Sequence, residues 1–113
     1  MSDPAGMRRE YRRGQLAESS VPATWFALFE RWFADAAAEL SIVEANAMQL
    51  ATADSDGRPS VRTVLMKGMD ERGLVFFTNC RSAKARELDE RGYAAAVLAW
   101  IPLQRQVRLS GAV

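Results

Sequence analysis

Ser60–Asp70 reads SVRTVLMKGMD, and its alternation sets the fold. It is rich in β-branched residues, and its side chains divide by parity. Arg62, Val64 and Met66 take one face, while Thr63, Leu65 and Lys67 take the other. Turn signals flank it, Ser55-Asp56-Gly57 before and Asp70-Glu71-Arg72-Gly73 after. Further strands are predicted outward from these turns, over Met48–Asp54 on one side and Leu74–Asn79 on the other. Short turns between successive strands mean hairpins, and hairpins mean antiparallel pairing.

Working toward the C-terminus, Ser82–Gly92 reads as a short helix, with Ser82 at its start and Gly92 at its end. Tyr93–Trp100 and Leu103–Val113 follow as strands joined across Ile101-Pro102. Toward the N-terminus, Pro22 marks the start of an amphipathic helix. Trp25, Leu28, Phe29, Trp32, Phe33, Ala36 and Leu40 fall at three- and four-residue spacing along it. That stripe is read as a core face rather than a cofactor box. Residues 1–20 are polar and arginine-rich, which predicts a flexible arm before a single domain over 21–113. Strands linked by hairpins, with helices at the periphery, predict an α+β antiparallel barrel rather than a doubly wound parallel sheet.

Composition narrows the chemistry. The 113 residues contain 15 Lys plus Arg against 14 Asp plus Glu, so no global field draws the chain to nucleic acid or membrane. Histidine is absent, which removes Ser-His-Asp triads, Cys-His pairs and His-ligated metals. Cys80 is the single cysteine, so no intrachain disulfide forms and a reducing, cytoplasmic setting is expected. The apolar run from Ala94 through Pro102 is far short of the roughly 18 residues of a membrane span.

Two cations on one short, otherwise apolar strand need either an anion or open water. Arg62 and Lys67 therefore read as anion ligands or as edge charges facing solvent. A second candidate corner lies where Thr78 ends a strand, Ser82 opens a helix and Lys84 sits in its first turn. The alternative there is an ordinary cap with a solvated lysine. Gln106, between Arg105 and Val107, gains meaning only if it faces a heterocycle that needs an amide. No GxGxxG or Walker A pattern accompanies these residues.

Seven segments carry a resemblance: RREY (Arg8–Tyr11), LFERW (Leu28–Trp32), NAM (Asn46–Met48), RTVLMK (Arg62–Lys67), FFTN (Phe76–Asn79), SAKA (Ser82–Ala85) and RQV (Arg105–Val107). In this order and spacing the chain resembles the N-terminal half of the pyridoxamine 5′-phosphate oxidase family. The resemblance implies an FMN-binding split β-barrel, incomplete at its C-terminal side, that forms a homodimer with FMN at the interface. It implies FMN contacts from Arg62, Thr63, Val64, Leu65, Met66 and Lys67, with Arg62 at the phosphate. It also places Phe77, Thr78, Lys84 and Gln106 on the cofactor. Arg8, Arg9, Glu10 and Tyr11 would fold over the substrate, a B6 5′-phosphate, whose phosphate Lys67 would also reach. The implied reaction is oxidation to pyridoxal 5′-phosphate, with O2 giving H2O2, and no metal. Phe77 stands where many family members carry Tyr, and Ala83 where some carry Arg. The rival readings are another split-barrel flavin or deazaflavin reductase, a non-catalytic flavin-binding remnant, and a small RNA-binding β-barrel.

Overall fold

The computed structural model describes residues 23–77 and 92–113. The expected arm at 1–20, Thr78, Cys80, Lys84 and the expected helix over 82–92, apart from its last residue Gly92, lie outside the described residues. Helix α1 (Trp25–Ala38) is capped by Thr24, whose Oγ1 accepts the Ala27 N–H at 3.2 Å. The cap places the start at Trp25 rather than at Pro22. The chain leaves the helix at Glu39, in extended backbone, so Leu40 falls beyond the apolar stripe and is almost fully exposed. That corrects its expected place on the core face.

Five strands follow: β1 (Ala47–Ala53), β2 (Pro59–Asp70), β3 (Gly73–Phe76), β4 (Tyr93–Trp100) and β5 (Arg105–Ala112). All pairings are antiparallel, in the order β3-β2-β1-β4-β5. The β1–β2 hairpin turns at Asp54, whose carboxylate accepts the N–H groups of Asp56 and Arg58. Gly57 there has φ 83°, a left-handed conformation that a side chain disfavours. Between β4 and β5 a single 3₁₀ turn (Ile101–Leu103) starts with Pro102 near its N-terminus and ends on Gln104 at φ 55°. The last strand therefore begins at Arg105, two residues later than its apolar pattern suggested, because the proline-led turn takes up Leu103 and Gln104.

Alternation divides the sheet into an inner and an outer face. Met48, Leu50, Met66, Leu98 and Trp100 point inward and are almost wholly buried. Helix α1 covers this inner face, with the Phe29 and Phe33 rings 6.1 and 6.3 Å from Trp100. The Trp100 indole N–H donates to the Ala45 carbonyl at 2.9 Å, satisfying its polar edge in an apolar core. Arg105 ties β5 to the helix. Its guanidinium lies 4.7 Å from the Trp32 ring centroid and donates to Asp35 at 2.8 Å.

Candidate functional site

Strand β2 carries most of the expected site. Its alternation holds from Pro59 to Met66 and then breaks. Met66 pairs with Phe76, but Gly68 pairs with Val75, so Lys67 is an inserted residue in a β-bulge. The bulge has a packing cause. Met66 and Met69, three apart, both join the core, where strict alternation would have sent Gly68 inward. The signal for it in the sequence is the lone glycine inside a strand.

Arg62 and Lys67 work from opposite faces, as their parity along the strand predicts. Arg62 is half-buried on the inner side, and its Nη1 donates to Thr52 Oγ1 at 2.7 Å and to the Leu50 carbonyl at 3.2 Å. These bonds rule out a guanidinium simply facing water from an edge. Thr52 itself is only 4% exposed, a buried hydroxyl that sequence reading did not single out. Val64 and Met66 share the inner side. Thr63, Leu65 and Lys67 share the outer one. Lys67 is exposed and has no ion-pair partner among the described residues.

The outer face around Lys67 mixes exposed apolar and polar side chains. Phe77 leaves β3 with 74% of its surface exposed, and Val61 and Tyr93 are exposed to similar degrees. Thr63 Oγ1 donates to Gln49 Oε1 at 2.8 Å across the β1–β2 ladder. The same face reaches Arg108, opposite Val97, and Gln106, opposite Ala99. Gln106 lies three strands from β2, or roughly 14 Å at the usual strand spacing of about 4.8 Å. Of the expected residues, the structure therefore brings Thr63, Leu65, Lys67, Phe77 and Gln106 to one surface, with Arg62, Val64 and Met66 behind it. Arg8, Arg9, Glu10, Tyr11, Thr78 and Lys84 lie outside the described residues.

Behind the sheet, an apolar groove of about 710 Å³ runs along the inner face. Trp25, Trp32, Leu50, Phe76, Val107 and Leu109 are among its lining, and Gln106 borders it. This is the interior of a curled sheet whose two edge strands, β3 and β5, do not meet among the described residues. Near one rim, Asp70 and Arg72 pair at 2.9 Å. The Arg72 side-chain hydrogen bonds, followed by its backbone N–H, hold the Asp70 carboxyl below the usual carboxylate range.

The sequence that folds into this five-stranded antiparallel half-barrel matches a known family model. The model for pyridoxamine 5′-phosphate oxidase covers residues 33–113. The chain belongs to the pyridoxamine 5′-phosphate oxidase family. Within that family it is 54% identical over 110 residues to a Pseudomonas putida protein named pyridoxine/pyridoxamine 5′-phosphate oxidase. That match takes in 96% of this chain and 51% of the relative. The chain thus spans about half the length of the curated relatives it matches. Among solved structures it resembles PhzG from Burkholderia lata, in complex with tetrahydrophenazine-1-carboxylic acid. The TM-score is 0.77 at 38% identity, covering 83% of this chain and 46% of PhzG. It also resembles an FMN-binding, pyridoxamine 5′-phosphate oxidase-related protein of Nostoc punctiforme. There the TM-score is 0.69 at 30% identity, covering 81% and 47% of the two chains. The hairpin order pointed to an antiparallel barrel, and the split-barrel form is the one the resemblance implied. No helix among the described residues is long and apolar enough to cross a membrane.

Proposed function

We propose that this chain carries the FMN-binding part of an oxidase that converts pyridoxamine or pyridoxine 5′-phosphate to pyridoxal 5′-phosphate. The observation behind this reading is the outer face, which an exposed lysine on a bulge shares with an exposed aromatic and, three strands away, with an amide. It occurs in a chain 54% identical to a relative named for that activity. The donor set fits FMN. Lys67 offers unspent positive charge for a phosphate, Leu65 and Phe77 an apolar bed for a flat ring, and Gln106 an amide for the edge of a heterocycle. Thr63 adds a hydroxyl on the same face. Arg62 lies on the inner side, bonded to Thr52 and the Leu50 carbonyl, and its phosphate role is carried by the family resemblance alone. Val64 and Met66 contribute backbone and packing under that surface.

Bound FMN would supply a hydride acceptor for the C4′ carbon of the substrate, with O2 reduced to H2O2 as the cofactor is reoxidised; with the amine substrate, water would then hydrolyse the imine and ammonia would leave. The residues of this chain bind and orient; none is needed as a nucleophile, consistent with the absence of histidine. Thr78 and Lys84 are proposed to complete the phosphate contacts. Arg8, Arg9, Glu10 and Tyr11 are proposed to close over the substrate, with Lys67 reaching its phosphate. The exposed Val61, Phe77 and Tyr93 favour a homodimer across the outer face, in a cytoplasmic enzyme.

The test is a titration of apo-protein with FMN, followed by a peroxide assay with pyridoxine 5′-phosphate. Arg62→Ala and Lys84→Ala are each expected to weaken FMN binding by roughly 1.5–3 kcal/mol, the range for hydrogen bonds to charged groups. Unchanged affinity in both removes them from the site. The likeness to PhzG favours one second reading, a tricyclic substrate in place of a B6 vitamer. Peroxide release with tetrahydrophenazine-1-carboxylic acid but not with pyridoxine 5′-phosphate would select it.

A further inference from the structure

Asn46 stands immediately before β1, opposite Met66. The Met66 N–H donates to the Asn46 carbonyl at 2.8 Å, and Asn46 Nδ2 donates to the Met66 carbonyl at 3.0 Å. The last residue pair of the β1–β2 ladder is Ala47 with Leu65. Asn46 therefore extends the ladder by one step, its backbone carbonyl accepting the N–H of a single β2 residue and its side-chain amide donating to that residue's carbonyl.

That residue directly precedes the bulge. The Met66 carbonyl belongs to the same rigid peptide plane as the Lys67 N–H, so fixing one fixes the other. Met66 is also paired with Phe76 on its far side, and its side chain is 5% exposed in the core. Beyond Lys67 comes Gly68, which has no side chain to pack. The direction of Lys67 is thus set from the Met66 side, and Asn46 is the polar group that holds that side.

We propose that Asn46 is a positioning residue, aiming the Lys67 ammonium across the outer face toward an anionic group of the ligand. The inference rests on the reading of Lys67 as a ligand-binding cation. A residue that merely closed the end of the sheet would affect stability alone. A positioning residue reproduces the binding signature of Lys67 and loses its effect once Lys67 is gone.

The experiment is a double-mutant cycle with two readouts: the FMN dissociation constant by flavin fluorescence quenching, and KM for pyridoxine 5′-phosphate at saturating FMN. Lys67→Met identifies which constant Lys67 controls. Asn46→Asp, which keeps the shape but replaces the donor with an acceptor, is expected to shift that same constant by about three- to tenfold, the scale of one displaced hydrogen bond. Asn46→Asp combined with Lys67→Met is expected to match Lys67→Met alone. If Lys67→Met shifts neither constant, the reading of Lys67 falls and this inference with it. If Lys67→Met acts but Asn46→Asp does not, or the two effects add, only the positioning role is overturned. Asn46→Ser, with a donor hydroxyl and no added charge, serves if the Asp variant does not fold by circular dichroism. Failure of both to fold overturns the proposal, because Asn46 would then serve the fold rather than Lys67.

Discussion

The Arg62 guanidinium on β2 donates to the Thr52 hydroxyl on β1 at 2.7 Å, beneath the sheet rather than on its outer surface. A cation is thereby satisfied on the inner side by a buried hydroxyl and the Leu50 carbonyl, while Lys67, five residues on, faces out. The strand thus supplies positive charge from two directions.

Replacing Thr52 with valine keeps the volume and removes the acceptor. Thr52→Val is expected to destabilise the fold by about 1–3 kcal/mol, because a charged donor loses a buried partner. Urea denaturation measures this. A change within error would mean that the Leu50 carbonyl suffices.

Trp100 is 1% exposed, and its indole N–H is bonded to the Ala45 carbonyl. Trp100→Phe leaves that carbonyl without its donor and opens space against Phe29 and Phe33. A loss of about 2–4 kcal/mol is expected, an unmade buried hydrogen bond plus lost packing. The shift in the denaturation midpoint at constant slope reads it. A loss below 1 kcal/mol would show that the core relaxes around the smaller ring.

Asp70 and Arg72 give a pH signature with a defined sign. The Arg72 hydrogen bonds depress the folded-state pKa of Asp70, so the pair's contribution is present above the unfolded carboxylate value of about 3.9. It is lost as the pH falls through the lower folded-state value. Carboxyl carbon NMR is expected to find Asp70 titrating below the ordinary range in the native chain and returning toward it in Arg72→Ala. An identical titration in both would exclude Arg72 as the cause.

Gln104 holds φ 55° and ψ 41° at the end of the 3₁₀ turn. A left-handed conformation costs a non-glycine residue about 1–2 kcal/mol, partly offset in glycine by its freer unfolded chain. Gln104→Gly is expected to raise the melting temperature by a few degrees, and Gln104→Val to lower it. The reverse order would show that the Gln104 side chain, not its backbone, stabilises the turn.

Much of this was legible in the residue order because it depends on local periodicity. Aromatic spacing from Trp25 to Ala36 forces a helix to bury one stripe, Gly57 marks a left-handed turn, and Tyr93–Trp100 is an apolar run of strand length. Leu40 misled because spacing alone does not show where a helix ends; Thr24 and Glu39 settle that through cap geometry. The bulge at Lys67 was missed because the alternation of Arg62 to Met66 runs smoothly into it, with Gly68 its one local sign. Only the need to bury both Met66 and Met69 against one core breaks it.

The sequence by itself determined the helix, the hairpin order, the family and which residue types were present to meet an anion. Parity put Arg62 and Lys67 on opposite faces, and tertiary structure alone decided which face is inner and what each charge meets. Arg62 turns under the sheet because Thr52 and Leu50, ten or more positions away, present oxygens there, and Lys67 turns outward because the core claims the methionines around it. Asn46 gains its role in the same way. Whether a side chain meets a partner twenty residues distant depends on strand register, and register is fixed by the packing of the whole inner face.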